Sequence, residues 1–495
     1  MSVNCIILTG FIHNKSQRFI EKTAGPQRIA TELRKNNFTV QIIDISYFEK
    51  FDVFLQRILK RFICSETYWI GFSTNFMDQI FDVNWSETEY ERSVLQKNPA
   101  YGTELKKFIN FCKTLNPNIK FLTGGMKIYD LSDFEFFQFQ GHVDQEIVDF
   151  TIDCSHNKIL KPTKIFNKEY KDFVKSNLTY LPQDLWQGIK SLPIEISRGC
   201  IFKCKFCNYP LNGKSKGEWI KDYEILYDEF MYNYENYGIK NYMFVDDTYN
   251  DNITKITDLY NKVFSKLPFS MKFSAYIRLD LVQKYPESIE ILKESGLVSA
   301  SCGVETIDLP SAKLIGKSTN PNLIDFAHKL KNESWKNIIL SSYWIIGFPN
   351  ETKKSINNFF EWLLSRNNPF ESNAIQRLYI YPPKFKPYQL YFSQFDVNFN
   401  FSSYDFTLND NGKITWFNNE TNVSSAFCDE IENEFYKKNI YRDKWGHFYY
   451  NRILNLGISD TDITNLTMYE TQQKYDFNIL LKNQKIKYFE NLYLK

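Results

Sequence analysis

Cys200, Cys204 and Cys207 lie within eight residues in the middle of the chain, just after an expected strand. Cysteine thiolates are the usual protein ligands of iron–sulfur centres, and three of them on one loop can hold a single cluster. A 4Fe–4S cubane has four irons, so three thiolates leave one iron without a protein ligand. An open metal position is typical of a reactive site and not of a structural one.

Two other interpretations of these cysteines stay open. A structural zinc ion takes a fourth Cys or His ligand, but no other Cys or His follows nearby, and the histidines at 142, 156 and 328 are remote in sequence. Burial of the thiols without any ligand is the second alternative, which the polar loop disfavours. The other six of the nine cysteines are scattered singly, so the chain has no disulfide framework.

The segments before the cysteines alternate between strand and helix patterns. Short runs of apolar, β-branched residues alternate with helix-like segments, which indicates a doubly wound parallel sheet over residues 1–153. Ligands bind beyond the carboxyl ends of the strands in such sheets. The expected strands cover 5–8, 40–45, 68–72 and 120–123, and the helices cover 26–36, 51–62 and 104–115. Gly124 and Gly125 stand at one of these strand ends.

A second alternation follows a Lys- and Asn-rich connector at 154–189. Six strands with crossover helices between them predict a curled parallel sheet, a partial TIM-like (β/α)6 barrel over 190–385. The expected strands are 194–197, 241–245, 271–275, 298–303, 338–346 and 375–381. Residues 386–495 show no clear alternation and are expected to form a small mixed domain or a lid that contributes to substrate specificity.

The cysteine spacing and several later segments resemble the radical SAM superfamily, in the branch that carries a cobalamin-binding domain. The spacing is Cys-x3-Cys-x2-Cys with Phe206 before the last cysteine, and the resemblance covers about residues 180–385. The further matching segments are 244–248 (FVDDT), 276–280 (YIRLD), 303–306 (GVET), 316–319 (GKST) and 346–352 (IGFPNET).

This resemblance implies a role for each matched residue. A 4Fe–4S cluster on Cys200, Cys204 and Cys207 would bind S-adenosyl-L-methionine (SAM) at its open iron and cleave it to a 5′-deoxyadenosyl radical. The SAM amino group would be contacted by Asp246, Asp247 and Thr248. Arg278 would contact the SAM carboxylate, and Glu305 would contact the ribose. The adenine would lie against Gly347 and Pro349. An ordinary turn, ion pair or strand end is the structural alternative for each of these residues.

The domain order also resembles cobalamin-dependent radical SAM enzymes. Gly25 to Ile29, Gly124-Gly125 and Gly141 to Glu146 match segments of that branch, which implies cobalamin binding near Gly124 and Gly125. The Asp-x-His-x-x-Gly motif is absent, and His13 does not restore it. A degenerate domain that serves substrate or partner contacts is the alternative.

The leading hypothesis is an enzyme that transfers a methyl group to an unactivated carbon with the help of cobalamin. A cobalamin-free radical oxidation, rearrangement or cyclisation is the runner-up, and a non-catalytic iron–sulfur SAM sensor is the rival of another class. Methylthio transfer needs a second cluster, for which Cys5, Cys64 and Cys112 are poorly placed. The expected partners are a small-molecule or peptide substrate and an electron donor such as flavodoxin or ferredoxin.

Composition narrows the remaining classes. The 495 residues carry 60 Lys and Arg against 58 Asp and Glu, a net charge of +2. This balance does not indicate the excess of positive charge that is typical of nucleic-acid-binding proteins. The longest apolar stretch, 338–348, is far shorter than the ~20 residues of a membrane helix. No signal peptide is visible, so a cytoplasmic location without membrane attachment is expected.

Overall fold

A computed structural model describes the chain in two compact units. One unit comprises Met1–Ile189 and Asn478–Lys495, and the other comprises Lys190–Phe477. The described residues are 2–10, 21–45, 52–73, 102–125, 134–167, 171–207, 211, 213–380, 401–409, 415–439 and 443–494. Among the helices of these ranges, none has the length and apolar character needed to cross a bilayer.

The first unit is built on a parallel sheet of six strands in the order β2-β1-β3-β4-β5-β6. The strands are β1 Cys5–Thr9, β2 Val40–Asp44, β3 Trp69–Ser73, β4 Lys120–Gly125, β5 Phe137–Gly141 and β6 Lys164–Asn167. The helices between them are α1 Ala24–Lys35, α2 Val53–Phe62, α3 Thr103–Leu115 and α4 Asp144–Ser155. This confirms the doubly wound α/β class expected for the N-terminal part.

Strand β1 shows why both faces of this sheet are covered. Cys5 and Ile7 pack in one core, and Ile6 and Leu8 pack in the other, because successive side chains point to opposite faces. Burial on both sides explains the continuous apolar run of the strand. Strands β5 and β6 were not predicted, since buried glutamines interrupt the apolar run of β5 and β6 lies in the expected connector.

The second unit contains a parallel sheet whose six strands follow chain order, β12-β11-β10-β9-β8-β7. The strands are β7 Ser191–Ile194, β8 Asn241–Phe244, β9 Lys272–Tyr276, β10 Leu297–Glu305, β11 Ile339–Ile346 and β12 Ser372–Arg377. The helices between them are α5 Tyr223–Tyr237, α6 Ile253–Lys262, α7 Leu279–Lys284, α8 Ser288–Glu294, α9 Leu309–Ile315, α10 Leu323–Asn332 and α11 Lys353–Leu364. Strand–helix alternation in sequential order is the expected partial (β/α)6 arrangement.

The C-terminal part contains a small antiparallel sheet and several helices. Its strands are β13 Phe406–Asn409, β14 Thr415–Asn418 and β15 Val423–Ser424. Its helices are α12 Ser425–Asn439, α13 His447–Asn455, α14 Asp460–Asn465, α15 Met468–Lys474 and α16 Phe477–Leu494.

Two of these helices have separate packing roles. Helix α13 packs against strands β7 to β10, where Asn451 Nδ2 donates to Ser274 Oγ at 2.6 Å. Helix α16, from Asn478 onward, belongs to the first unit, where Tyr488 and Leu492 join its core. The segment expected to be one C-terminal region therefore contributes to both units.

Candidate active site

The cysteine loop begins where β7 ends, and backbone hydrogen bonds fold it back on itself. Gly199 has φ +76°, and a Cβ at this position would lie 2.7 Å from the Leu211 carbonyl oxygen, so only glycine fits. The Cys200 N–H donates to Leu211 O at 3.0 Å, and the Cys200 carbonyl accepts from Gly213 N–H at 2.7 Å. Cys200 is thus held by backbone contacts on both sides.

All three cysteines of the loop line one cavity of about 350 Å³. Cys200 and Cys204 are each 8% exposed, and Cys207 is half-buried. Within the described ranges, no three His, Cys, Asp or Glu side chains converge tightly enough to ligate one metal ion. A cubane takes each thiolate at a different iron and so accommodates a wider spacing, which fits three cysteines that line a common cavity.

Asp246 was expected to contact the SAM amino group, but it does not line this cavity. Its carboxylate accepts hydrogen bonds from the backbone N–H groups of Ile196 and Ser197, both at 2.9 Å. The side chain is 1% exposed, and Lys255 Nζ lies 4.0 Å away. In this structure Asp246 anchors the start of the cysteine loop.

Asp247 and Thr248 do line the cavity, next to the cysteines. Thr248 Oγ1 lies 3.3 Å from the Cys200 sulfur. Burial raises the pKa of Asp247 to about 7, and the Asp246 carboxylate adds to the rise. A bound cation beside Asp247 would therefore favour its ionised form.

Two buried lysines that no sequence motif predicts support the same loop. Lys214 Nζ donates to the Arg198 carbonyl at 2.8 Å. Lys255 Nζ pairs with Asp251 at 2.6 Å and donates to Ser197 Oγ at 3.1 Å. Their charges offset the buried aspartates beneath the cysteines.

Arg278 lies in the cavity beside the second cysteine. Its Nε and Nη2 donate to the two oxygens of Asp280 at 3.0 and 2.6 Å, a bidentate pair that fixes the guanidinium. The guanidinium carbon lies 3.8 Å from the ring centroid of Phe202, and Nη1 lies 3.9 Å from the Cys204 sulfur. The cation therefore faces the thiolates that would carry the cluster.

Glu305 ends strand β10 in a strained conformation at the cavity wall. Its φ is +72°, and the pairing of β10 with β11 shifts register between Gly303 and Glu305. Such irregularities redirect a side chain out of the regular strand alternation. Lys317, to which the sequence assigned no role, also lines the cavity and pairs with Glu305 at 3.2 Å.

Gly347 was expected to contact adenine, but the structure places it outside the cavity lining. It has φ +93°, and a Cβ there would lie 2.4 Å from the Trp416 ring. Its N–H donates to the Glu351 carboxylate at 2.8 Å, and the hydroxyl of Thr306 donates to the same group at 2.6 Å. Burial raises the pKa of Glu351 to about 7.

The far wall of the cavity comes from the strands rather than from the cysteine loop. Tyr276 on β9 and Tyr343 on β11 line it with ring centroids 6.2 Å apart. Arg377 and Tyr379, at the end of β12 and just beyond it, also line this wall. This wall offers apolar rings and polar donors to a small molecule.

Gly124 and Gly125 lie in the first unit, at the carboxyl end of β4. Among the described residues, a Cβ on Gly124 would meet only the Phe139 carbonyl oxygen, at 3.9 Å. The preceding Thr123 hydroxyl is buried and has no hydrogen-bond partner in the part of the chain that is described. The space beside the Gly124 Cα, next to a buried hydroxyl at this edge, suits the approach of a ligand. His13 lies outside the described residues.

Residues 194–363 match the family model of the Radical SAM superfamily. The chain is 28% identical over 185 residues to the uncharacterized methyltransferase PH0819 of Pyrococcus horikoshii, covering 36% of this chain and 38% of the relative. It is 26% identical over 204 residues to the ribosomal protein uS12 methylthiotransferase RimO of Bartonella tribocorum, covering 36% and 44%. The matches thus span about two fifths of the length of these relatives.

Two solved structures are similar in fold. TsrM from Kitasatospora setae, a radical S-adenosylmethionine methyltransferase with tryptophan substrate and a SAM analog bound, aligns with a TM-score of 0.54 and 13% identity, covering 75% of this chain and 73% of that one. The cobalamin-dependent radical enzyme OxsB, with aqua-cobalamin and SAM bound, aligns with a TM-score of 0.54 and 13% identity, covering 81% and 56%.

The second unit is therefore built around a radical SAM domain, in a chain with the α/β fold of cobalamin-dependent radical SAM enzymes. The proteins that match over this domain include a methyltransferase and a methylthiotransferase. The solved TsrM structures are described with a 4Fe–4S cluster and cobalamin, or with a SAM analog, bound.

Proposed function

We propose that this enzyme holds a 4Fe–4S cluster through Cys200, Cys204 and Cys207, cleaves SAM reductively, and uses the 5′-deoxyadenosyl radical for cobalamin-assisted methyl transfer to an unactivated carbon. One observation carries the proposal. The three cysteines line the same cavity as four of the residues expected to bind SAM, which come from three different strand ends. Those four residues are Asp247, Thr248, Arg278 and Glu305.

When bound, the cluster supplies the electron that breaks a carbon–sulfur bond of SAM. The surrounding side chains bind and orient the substrate. Arg278, fixed by Asp280, offers the Nη1 that faces Cys204 to the SAM carboxylate. Asp247 and Thr248 accept from the SAM amino group, and Glu305 accepts from the ribose hydroxyls. An electron donor such as flavodoxin or ferredoxin completes the system.

Cobalamin binding is proposed for the first unit. TsrM and OxsB, which are among the enzymes of similar fold, are described as cobalamin-bound in solved structures. The room beside the Gly124 Cα and the buried Thr123 hydroxyl fit a ligand at the carboxyl edge of this sheet. There cobalamin would supply the carrier that accepts and delivers a methyl group.

The test is anaerobic reconstitution with iron, sulfide, cobalamin and SAM, followed by mass spectrometry of the products. We expect 5′-deoxyadenosine under reducing conditions, S-adenosylhomocysteine beside it, and corrinoid retained through gel filtration. Protein that takes up iron but forms no 5′-deoxyadenosine would instead be a SAM-binding sensor. Deoxyadenosine without S-adenosylhomocysteine or corrinoid would favour oxidation, rearrangement or cyclisation.

Methylthio transfer is the second candidate, because the chain is similar to RimO methylthiotransferases. It would require a second cluster held by the first unit. Among the described cysteines of that unit, Cys5 and Cys154 pack in one core, while Cys112 packs in the core on the other side of the sheet. The intervening sheet keeps these thiols from converging on one cluster. Two clusters per chain, counted by iron analysis, would reverse this ranking.

A further inference from the structure

Lys317 directly follows the end of helix α9, and the backbone conformation there is fixed. The helix ends at Gly316, whose φ of +77° is the left-handed conformation that terminates many helices. The Lys317 N–H donates to the Ala312 carbonyl at 2.9 Å, which closes the last turn. The position of the side chain is therefore set by the backbone of the cap.

The ammonium group of Lys317 is buried among partners in the cavity wall. Its side chain is 11% exposed, and Nζ donates to the Gly303 carbonyl at 2.8 Å and pairs with Glu305 Oε1 at 3.2 Å. Burial alone would lower the pKa of Lys317, but Glu305 and Cys204 raise it. Nζ also lies 5.6 Å from the ring centroid of Phe206, inside the cysteine loop.

Glu305 depends on this lysine for its placement. Lys317 is the one cation paired with Glu305 among the described residues. The Glu305 Oε1 atom lies 2.4 Å from where a Cβ of residue 303 would stand, so the carboxylate fits against Gly303 only because that residue has no side chain. An unpaired carboxylate at this depth would turn toward water.

The same segment touches the cysteine loop. The Lys205 N–H donates to the Ile315 carbonyl at 3.1 Å, and the Gly316 carbonyl lies 3.9 Å from the Cys204 sulfur. The end of helix α9 therefore contacts the loop on one side and Glu305 on the other.

We propose that Lys317 is a positioning residue. It holds the Glu305 carboxylate at a fixed position relative to the cysteine loop, so that the carboxylate can accept hydrogen bonds from the ribose hydroxyls of the nucleoside. This inference rests on the proposed function, since it takes the ligand of the cavity to be an adenosyl compound. Lys317 itself need not contact the ligand.

The experiment measures how strongly the reconstituted protein prefers a ligand with ribose hydroxyls. Calorimetry gives the dissociation constants of 2′,3′-dideoxyadenosine and of adenosine, and the preference is the ratio of the first to the second. We expect a ratio of about tenfold or more for the wild type, because hydrogen bonds to a charged group are lost in the dideoxy ligand. The Glu305→Gln and Lys317→Met variants should each reduce the ratio to within about threefold. The double variant should fall no further, because both changes remove one interaction.

Two variants serve as controls. Lys317→Arg keeps the charge and should recover most of the ratio, while Lys313→Met removes an exposed lysine of the same helix and should keep it in full. A ratio measured on one preparation does not depend on the fraction of folded protein, so partial misfolding does not mimic the effect.

The proposal is overturned if Lys317→Met has the wild-type ratio while Glu305→Gln has a reduced one. It is also overturned if the double variant reduces the ratio by the product of the two single reductions. It also fails if Glu305→Gln leaves the ratio unchanged. None of these results depends on turnover. Failure of the proposed function is seen separately, as absence of 5′-deoxyadenosine from the wild-type enzyme.

Discussion

One oxygen of the Asp246 carboxylate accepts two hydrogen bonds from Ser197, from its backbone N–H at 2.9 Å and from its hydroxyl at 2.6 Å. The contact joins the loop after β8 to the segment that leads into the cysteines. Asp246 thereby stabilises the cysteine loop from outside the cavity, while its neighbour Asp247 lines the cavity.

Replacing Asp246 by Ala should destabilise the protein by more than about 2 kcal/mol, because it leaves buried donors without an acceptor. Urea unfolding followed by intrinsic fluorescence measures the change. Glu290→Ala, which removes an exposed carboxylate paired with Lys293 on α8, is the matched control and should cost about 0.5 kcal/mol or less. Equal stability of the two variants would contradict the anchoring role.

Replacing Cys200, Cys204 or Cys207 singly by Ala should abolish iron binding and 5′-deoxyadenosine formation, since each thiolate holds a different iron. Iron analysis and the visible spectrum of the reconstituted protein check this. Cys64→Ala, which removes a half-buried cysteine of the first unit, should keep both properties. A loop variant with full iron content would refute the ligand assignment.

Gly347→Ala should cost about 2–4 kcal/mol, because it adds a steric clash to backbone strain. The new Cβ would lie 2.4 Å from the Trp416 ring, which is held by a hydrogen bond from its Nε1 to the Leu378 carbonyl at 2.7 Å. Gly217→Ala isolates the strain, since Gly217 has φ +87° and no described residue lies within 4 Å of the added carbon. Chemical denaturation should place Gly217→Ala at about 1 kcal/mol. A similar loss in both variants would mean that Trp416 moves aside.

Glu351 should make stability depend on pH. Its pKa rises by burial from 4.5 to about 7 in the folded protein, so the folded state binds more protons than the unfolded state between these values. Stability should therefore fall as pH rises from about 4.5 to about 7, by an order of 3 kcal/mol. The comparison of wild type with Glu351→Gln by denaturant unfolding at both pH values isolates this contribution. A pH dependence that survives in the variant would assign it to other groups.

The sequence by itself determined the features that depend on neighbouring residues. The cysteine spacing, the strands β1 to β4, the partial barrel and helix α5 follow from patterns within a few residues, and the structure confirms the α/β fold. The placement of Asp247, Thr248, Arg278 and Glu305 around one cavity follows as well, because parallel strands end at the same edge of a sheet.

Only the tertiary structure decided which polar groups have partners. Asp246 and Asp247 are adjacent and chemically identical in sequence, yet one bonds the backbone at Ile196 and Ser197 while the other lines the cavity. The pairing of Lys317 with Glu305 and the packing of Tyr488 of helix α16 in the first unit join residues from separate segments. Such contacts depend on how strands and helices pack in three dimensions. Residue patterns within a single segment predict its secondary structure but not which distant residues it contacts.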